Sequence, residues 1–298
     1  MGTPDYATTI LNRLINESEI EVIALFAQPD KPVGRKQVLT PPDSKKFLIE
    51  NKINIPIFQP NRLRDSENIE IIKNLKPDFI IVAAYGQILP KAILEIAPCI
   101  NLHASLLPAY RGASPIQSSL LNSDKFSGVT SMLMDVGLDT GDMLGFRFVE
   151  IGDKNIVELF NTLAEEASKL TITTLKNFSN IKPIKQNSSL ASYSPKITKN
   201  DGLIEFKSAK DIYAKFKAFY FWPEIFISSG LKLKEINLID EDKNFNEGEI
   251  LEIKEDSIIV GCNKGSIEIL KVQPKSKKAM DILSYLRGKR LEVGDIFN

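Results

Sequence analysis

Phe79-Ile-Ile-Val-Ala-Ala-Tyr85 and Cys99-Ile-Asn-Leu-His103 decide the fold of this chain. The first is an unbroken apolar run that stops at a glycine. Strands buried on both faces read this way, as in a parallel sheet covered by helices. Residues 22–27 supply another such run, and residues 129–134 are a further strand candidate. Between them, residues 44–51, 66–75 and 115–121 carry helical patterns, and the first two open on a serine suited to an N-cap. Strand and helix in alternation predict an α/β architecture with a doubly wound, mainly parallel sheet. Ligands of such sheets bind at the carboxyl ends of strands. His103 stands at one of those ends.

Farther along, residues 156–177 give the longest helical pattern, with Phe160, Leu163, Ala164, Ala167 and Leu170 on one face. A polar stretch rich in Ser, Pro, Lys and Asn follows without periodicity, which marks a linker. Beyond it, a helix over 209–219 precedes short alternating segments at 225–228, 232–238, 248–253, 257–261 and 266–272. Short strands at this spacing predict a small OB-like β-barrel. The expected organisation is a catalytic domain over 1–180, a linker over 181–202 and a carboxyl-terminal barrel over 203–298. At the beginning, Thr3 reads as a helix N-cap with Pro4 in the first helical position.

With 298 residues, two domains are the default. Lys+Arg and Asp+Glu both total 38, so only local clustering can serve a nucleic acid. Two cysteines, Cys99 and Cys262, form no disulfide framework and fit a reducing compartment. With a single histidine they also argue against a zinc site. No apolar run is long enough to span a membrane and no signal peptide is evident, so a cytoplasmic protein is expected.

Histidine is the one side chain whose ordinary pKa, about 6.5, lies near neutrality. His103 is the only one in the chain, so any histidine chemistry happens there. Asn101 shares its strand face, and an amide beside an imidazole suits the stabilisation of an oxyanion. The same pair also suits a structural histidine beside an asparagine that ends a strand. After His103, Ser105-Leu-Leu-Pro-Ala-Tyr-Arg-Gly-Ala-Ser-Pro-Ile-Gln117 is an apolar loop, fit to rim a pocket for a flat ligand or simply to join strand to helix. In Asp135-Val-Gly-Leu-Asp-Thr-Gly-Asp142 two glycines let the chain bend around Asp139. A carboxylate there would favour a charged imidazole nearby; the other reading is a plain hairpin connection.

Taken together, these segments resemble the methionyl-tRNA formyltransferase family over essentially the whole chain. The matching stretches are Met1-Gly-Thr-Pro, Gln28-Pro-Asp-Lys-Pro-Val-Gly-Arg35, Ala84-Tyr-Gly-Gln-Ile-Leu-Pro90, Asn101-Leu-His-Ala-Ser-Leu-Leu-Pro108, Arg111-Gly-Ala-Ser-Pro-Ile-Gln117, Met134-Asp-Val-Gly-Leu-Asp-Thr-Gly-Asp-Met143 and Trp222-Pro223. The resemblance implies a formyltransferase-like Rossmann variant. It implies transfer of the formyl group of 10-formyltetrahydrofolate, as co-substrate and without a metal, to the α-amine of initiator methionyl-tRNA. It makes Asn101, His103 and Asp139 the catalytic trio and sets Ser105, Leu106, Leu107 and Pro108 against the folate. A monomer is expected. The alternatives are another 10-formyltetrahydrofolate-dependent formyltransferase or hydrolase, or a non-catalytic RNA-binding relative.

Residues 264–290 hold eight basic against two acidic side chains. With Lys31, Arg35, Lys36, Lys45 and Lys46 they make two basic surfaces suited to phosphates, although a lysine run also serves as a solvated face. Arg35, Lys36, Lys277 and Lys278 are the expected tRNA contacts, and Arg35 matches the arginine of the family's acceptor-arm loop. Two departures stand out. The family carries a short apolar strand ahead of Gly-Thr-Pro that is not seen here, so the strands flanking that central position are expected to lack a partner. Tyr220-Phe221 replaces the family's Asn-Pro ahead of Trp-Pro.

Overall fold

In the computed structural model, residues 1–34 and 36–297 are described, and they fall into two compact units. The first comprises residues 1–115, 126–150 and 159–194; the second takes 116–125, 151–158 and the chain from Pro195 on. Arg35 lies outside the described residues.

In chain order the elements are α1 (Asp5–Ile15), β1 (Leu25–Phe26), β2 (Lys31–Val33), β3 (Val38–Thr40), α2 (Asp43–Glu50), β4 (Ile57–Phe58), α3 (Ser66–Leu75), β5 (Ile80–Val82), α4 (Lys91–Leu94), β6 (Cys99–His103), β7 (Arg111–Gly112) and α5 (Pro115–Leu121). There follow β8 (Phe126–Leu133), β9 (Met143–Glu150), α6 (Ile156–Asn177) and β10 (Tyr193–Ser194). The remainder is α7 (Ala209–Ala218), β11 (Lys232–Asp240), β12 (Ile250–Ile253), β13 (Ile258–Gly261), β14 (Ser266–Gln273), β15 (Met280–Asp281) and α8 (Ile282–Lys289).

The first unit carries a sheet with a parallel and an antiparallel half. β1 runs parallel to β4 and β5 parallel to β6. β6 pairs antiparallel with β8, and β8 with β9. The loop between β8 and β9 is too short for a crossover, so these two strands must be antiparallel. Met1 and Gly2 hold the central position: the Gly2 N–H donates to Phe26 O at 2.9 Å, and the Ala83 N–H donates to Met1 O at 3.0 Å. Gly2 and Ala83 form a parallel bridge, so the flanking strands do find a partner there.

Alternation along β1 covers both faces of the sheet. Phe26 packs with Ile72, Val82 and Ile93, whereas Leu25 and Ala27 pack with Leu11 and Leu48. Three capping expectations need correction. Pro4 rather than Thr3 caps α1, while α2 and α3 start behind Pro42 and Asp65, leaving Ser44 and Ser66 inside the helices. Tertiary bonds take the hydroxyls instead. Thr3 Oγ1 donates to Tyr85 O and accepts from the Gln28 N–H, and Ser44 Oγ donates to Gly2 O.

Part of the segment expected as linker packs into the first unit. Met143 and Ile184 exchange two backbone bonds of 2.8 Å each, and β10 pairs parallel with β7. A cleft of about 940 Å³ in this unit is lined by Ile10, Leu14, Val22, Leu25, Phe79 and Ile81 among others. Asn101, His103 and Asp139 are not in its lining. In the second unit an antiparallel sheet runs β11-β14-β13-β12, with β15 on β14. α7 and α8 open on side-chain caps from Ser208 and Asp281.

Candidate active site

β6 places Asn101 opposite Met132 and His103 opposite Thr130 of β8, both buried and on one face. His103 Nε2 lies 2.9 Å from Tyr110 O. A carbonyl only accepts, so Nε2 carries a proton and Nδ1 is turned toward Asp139 Oδ2, 3.7 Å away. That distance exceeds a direct hydrogen bond. Asn101 Nδ2 donates to Asp139 Oδ1 at 3.3 Å, and the Gly112 N–H donates to Asp139 Oδ2 at 2.9 Å. Residues spread over nearly forty positions thus meet around one carboxylate.

The Asp139 loop is built by local chemistry. Asp135 Oδ1 accepts from the Gly137 N–H and Thr140 Oγ1. Asp139 itself adopts φ +52°. Gly141 passes so close to β8 that a Cβ there would sit 1.6 Å from Leu133 O. Gly112 has φ +117°, and a Cβ would lie 2.6 Å from Ser194 O. Only glycine meets both demands.

Two side chains that sequence reasoning missed brace this loop. Gln186 Nε2 donates to Asp139 O at 2.9 Å and to Gly141 O at 2.7 Å. Its Oε1 accepts from Arg111 Nε and Nη2, at 3.0 and 2.8 Å. The Arg111 guanidinium is buried, so its charge sits in low dielectric close behind the Asp139 loop. Arg111 opens the 111–117 stretch that carries the family resemblance, whereas Gln186 lies in an aperiodic polar stretch with no signal.

The loop after His103 is fastened from beneath. Ser105 Oγ donates to Ala109 O at 2.6 Å, Thr130 Oγ1 donates to Ser105 O, and the Leu107 N–H donates to Thr130 Oγ1. Leu106 fits against Gly128, where a Cβ would come within 2.4 Å of its Cδ2. Leu106 and Pro108 stay half-buried.

The basic surfaces divide into lysines engaged by acidic side chains and lysines that are not. Lys45 is committed to Asp30 and Gln59 at 2.9 and 2.7 Å, and its hydrogen bond holds the Asp30 carboxyl below its ordinary range. Lys271 pairs with Glu235 and Lys264 with Asp242. Those lysines are therefore not free for phosphates, because acidic neighbours compete. Lys36, beside the exposed hairpin β2–β3, and Lys277 and Lys278, between β14 and β15, are exposed and have no ion-pair partner among the described residues.

The Formyl transferase signature matches residues 1–175, and the formyl transferase C-terminal domain matches residues 196–290. Methionyl-tRNA formyltransferase of a Nitratiruptor species is 59% identical over 298 residues, covering 100% of this chain and 98% of the relative. The chain belongs to the methionyl-tRNA formyltransferase family. The member from Campylobacter lari is 55% identical over 295 residues, with 99% and 97% covered.

Solved formyltransferases share the fold of this methionyl-tRNA formyltransferase family member. An N-formyltransferase from Helicobacter canadensis superposes with TM-score 0.68 at 20% identity, covering 91% of this chain and 97% of its own. The sugar 3N-formyl transferase WlaRD gives 0.67 at 21% identity, covering 93% and 97%. No described helix is long and apolar enough to cross a membrane.

Proposed function

We propose that this chain transfers the formyl group of 10-formyltetrahydrofolate to the α-amino group of methionyl-initiator tRNA, as a monomer in the cytoplasm. Two supports meet: full-length similarity to methionyl-tRNA formyltransferases and the meeting of buried Asn101 and His103 with half-buried Asp139. The second is the observation that carries the mechanism.

The neutral amine is itself a nucleophile, so no covalent enzyme intermediate is required. Its lone pair forms the new C–N bond at the formyl carbon, and the carbonyl electrons move onto oxygen. Asn101 Nδ2 spends one hydrogen on Asp139 and has a second for that oxyanion. A charged His103 donates from Nδ1, since Nε2 is spent on Tyr110 O. Asp139 accepts the amine proton, directly or through water, and collapse of the intermediate breaks the bond to the folate nitrogen. The proton then passes to that nitrogen, which balances the reaction. Buried oxyanion donors of this kind are worth about 10²–10³ in kcat each.

Ser105, Leu106, Leu107 and Pro108 form the folate side of the site in this reading. The leucines and proline offer apolar contact, and Ser105 shapes the loop, because its hydroxyl is spent on Ala109 O. Arg35, Lys36, Lys277 and Lys278 meet tRNA phosphates.

The test is formyl transfer to Met-tRNA, wild type against His103→Ala. Transfer by wild type with a loss of roughly 10²–10³ in kcat for the variant is the expected result. Absence of transfer by wild type overturns the assignment; full rate in the variant overturns the role of His103.

A further inference from the structure

The turn that follows α7 buries its two ends and exposes its middle. Phe219 is 1% exposed and Pro223 is buried, yet Tyr220, Phe221 and Trp222 are 44%, 71% and 56% exposed. The Glu224 N–H donates to Phe219 O at 3.1 Å, so the two ends are tied and the three aromatics project together. Single exposed apolar residues are common on protein surfaces, whereas contiguous ones mark contact sites. These three replace no core packing and cap no helix.

The aromatic surface continues along α7. Ring centroids of Tyr220 and Phe221 lie 5.7 Å apart, those of Phe216 and Tyr220 5.9 Å, and those of Tyr213 and Phe216 6.3 Å. The Lys217 ammonium sits 5.3 Å from the Tyr213 centroid. On the other flank, Lys232 and Lys234 both bind Glu224. Burial pushes that carboxyl up, but the two lysine hydrogen bonds outweigh it, and the group stays below its ordinary range. Two ammonium groups on one carboxylate leave positive charge beside the rings.

Flat rings backed by cations match the chemistry of an unpaired nucleotide, a base to stack and a phosphate to neutralise. We propose that Tyr220, Phe221 and Trp222 form a stacking platform for unpaired bases of the RNA substrate, with Lys217 and the net positive charge of Lys232 and Lys234, which Glu224 only half neutralises, drawing its phosphates. The proposal rests on the reading that the substrate is a tRNA. A base-paired stem hides its base faces and would use the lysines alone. A second copy of the chain or another protein is the competing occupant.

Trp222 is the only tryptophan in the chain, so its fluorescence reports on the platform directly. The probes are uncharged tRNA, a short single-stranded RNA and a blunt RNA duplex. Saturable quenching by the first two and little by the duplex is expected. Phe221→Ala and Trp222→Ala each raise the KM for Met-tRNA by roughly 5–150-fold, with kcat and the folate KM unchanged, and Trp222→Phe restores most of the loss. Circular dichroism melting checks that the variants fold, and exposed positions of this kind tolerate substitution. An unchanged tRNA KM in Phe221→Ala, equal quenching by the duplex, or a Phe221-dependent dimer in sedimentation without RNA each overturns the platform. If wild type transfers no formyl group to Met-tRNA, the substrate reading fails by itself; an active wild type without platform effects sinks only this proposal.

Discussion

Gln186 holds Asp139 by its backbone: one amide group donates to Asp139 O at 2.9 Å and to Gly141 O at 2.7 Å. Its oxygen meanwhile accepts two bonds from the buried Arg111 guanidinium. Gln186→Leu removes both carbonyl anchors and strands a buried charge, which costs at least about 1–3 kcal/mol. In a unit of this size, a fall in Tm of several degrees is expected, together with a 10–100-fold lower kcat, since misplacement by about an ångström costs on the order of 10². The folate KM should hardly move. A melting curve paired with steady-state kinetics checks both halves, and a normal kcat would show that the brace does not position Asp139.

Asp139→Asn keeps the shape of the side chain but removes its charge and its ability to accept at both oxygens. Asn101 Nδ2 and the Gly112 N–H then face one amide group instead of a carboxylate. A rate loss of roughly 10²–10⁴ is expected if Asp139 handles the amine proton. Combined with His103→Ala, the loss should be far smaller than the product of the two, because residues acting as a unit are not additive. Multiplicative losses would separate their roles.

Gly141→Ala puts a methyl group 1.6 Å from Leu133 O, a backbone atom that cannot step aside. The loop between β8 and β9 must open, so activity should be abolished and stability reduced by more than ~1 kcal/mol. Gly112→Ala meets Ser194 O at 2.6 Å with φ at +117° and should behave similarly. Chemical denaturation and formyl transfer measure the two effects.

The thiols are shielded. Burial pushes Cys99 up to about 11, and Cys262 up to about 12, with Glu247 adding to the rise. At pH 8 on the order of one thiol in a thousand or fewer is ionised, and the thiolate is the reactive form. Native protein should therefore resist iodoacetamide, while unfolded protein reacts at both positions by mass spectrometry. The sign for stability follows. The folded state keeps these protons longer than the unfolded one, so their contribution is complete below about pH 9 and fades as pH climbs toward 11–12.

Lysines separate into those available to RNA and those already engaged. Lys277→Ala and Lys278→Ala should each weaken tRNA binding and lower the slope of log K against log salt by about 1. Lys45→Ala should leave that slope unchanged, because its ammonium is spent on Asp30 and Gln59. Salt titrations of tRNA affinity distinguish the two groups.

Much of this molecule is legible in its sequence. The helices at 66–75, 115–121 and 156–177 and the strand at 99–103 stand where apolar periodicity puts them. Asn101 and His103 share a face because strand residues alternate. The serine caps fail, since Ser44 Oγ has a better partner in Gly2 O, far away in sequence. Lys45 reads as a phosphate contact for the same reason: its acidic partner Asp30 is close in space but follows no helical spacing.

Local pattern records which face of an element is apolar and where the backbone must bend. It therefore specified the alternating architecture, the single histidine at a strand end and the family of the chain. Which polar groups meet across the fold leaves no period in the sequence. Asp139 comes to Asn101 and His103 because β8 and β9 fold back as a hairpin beside β6. Gln186, 47 positions from Asp139, comes from a stretch without pattern and is placed there because β10 pairs with β7. Only packing of the whole unit sets such distances, since each bond links elements that local propensity builds independently.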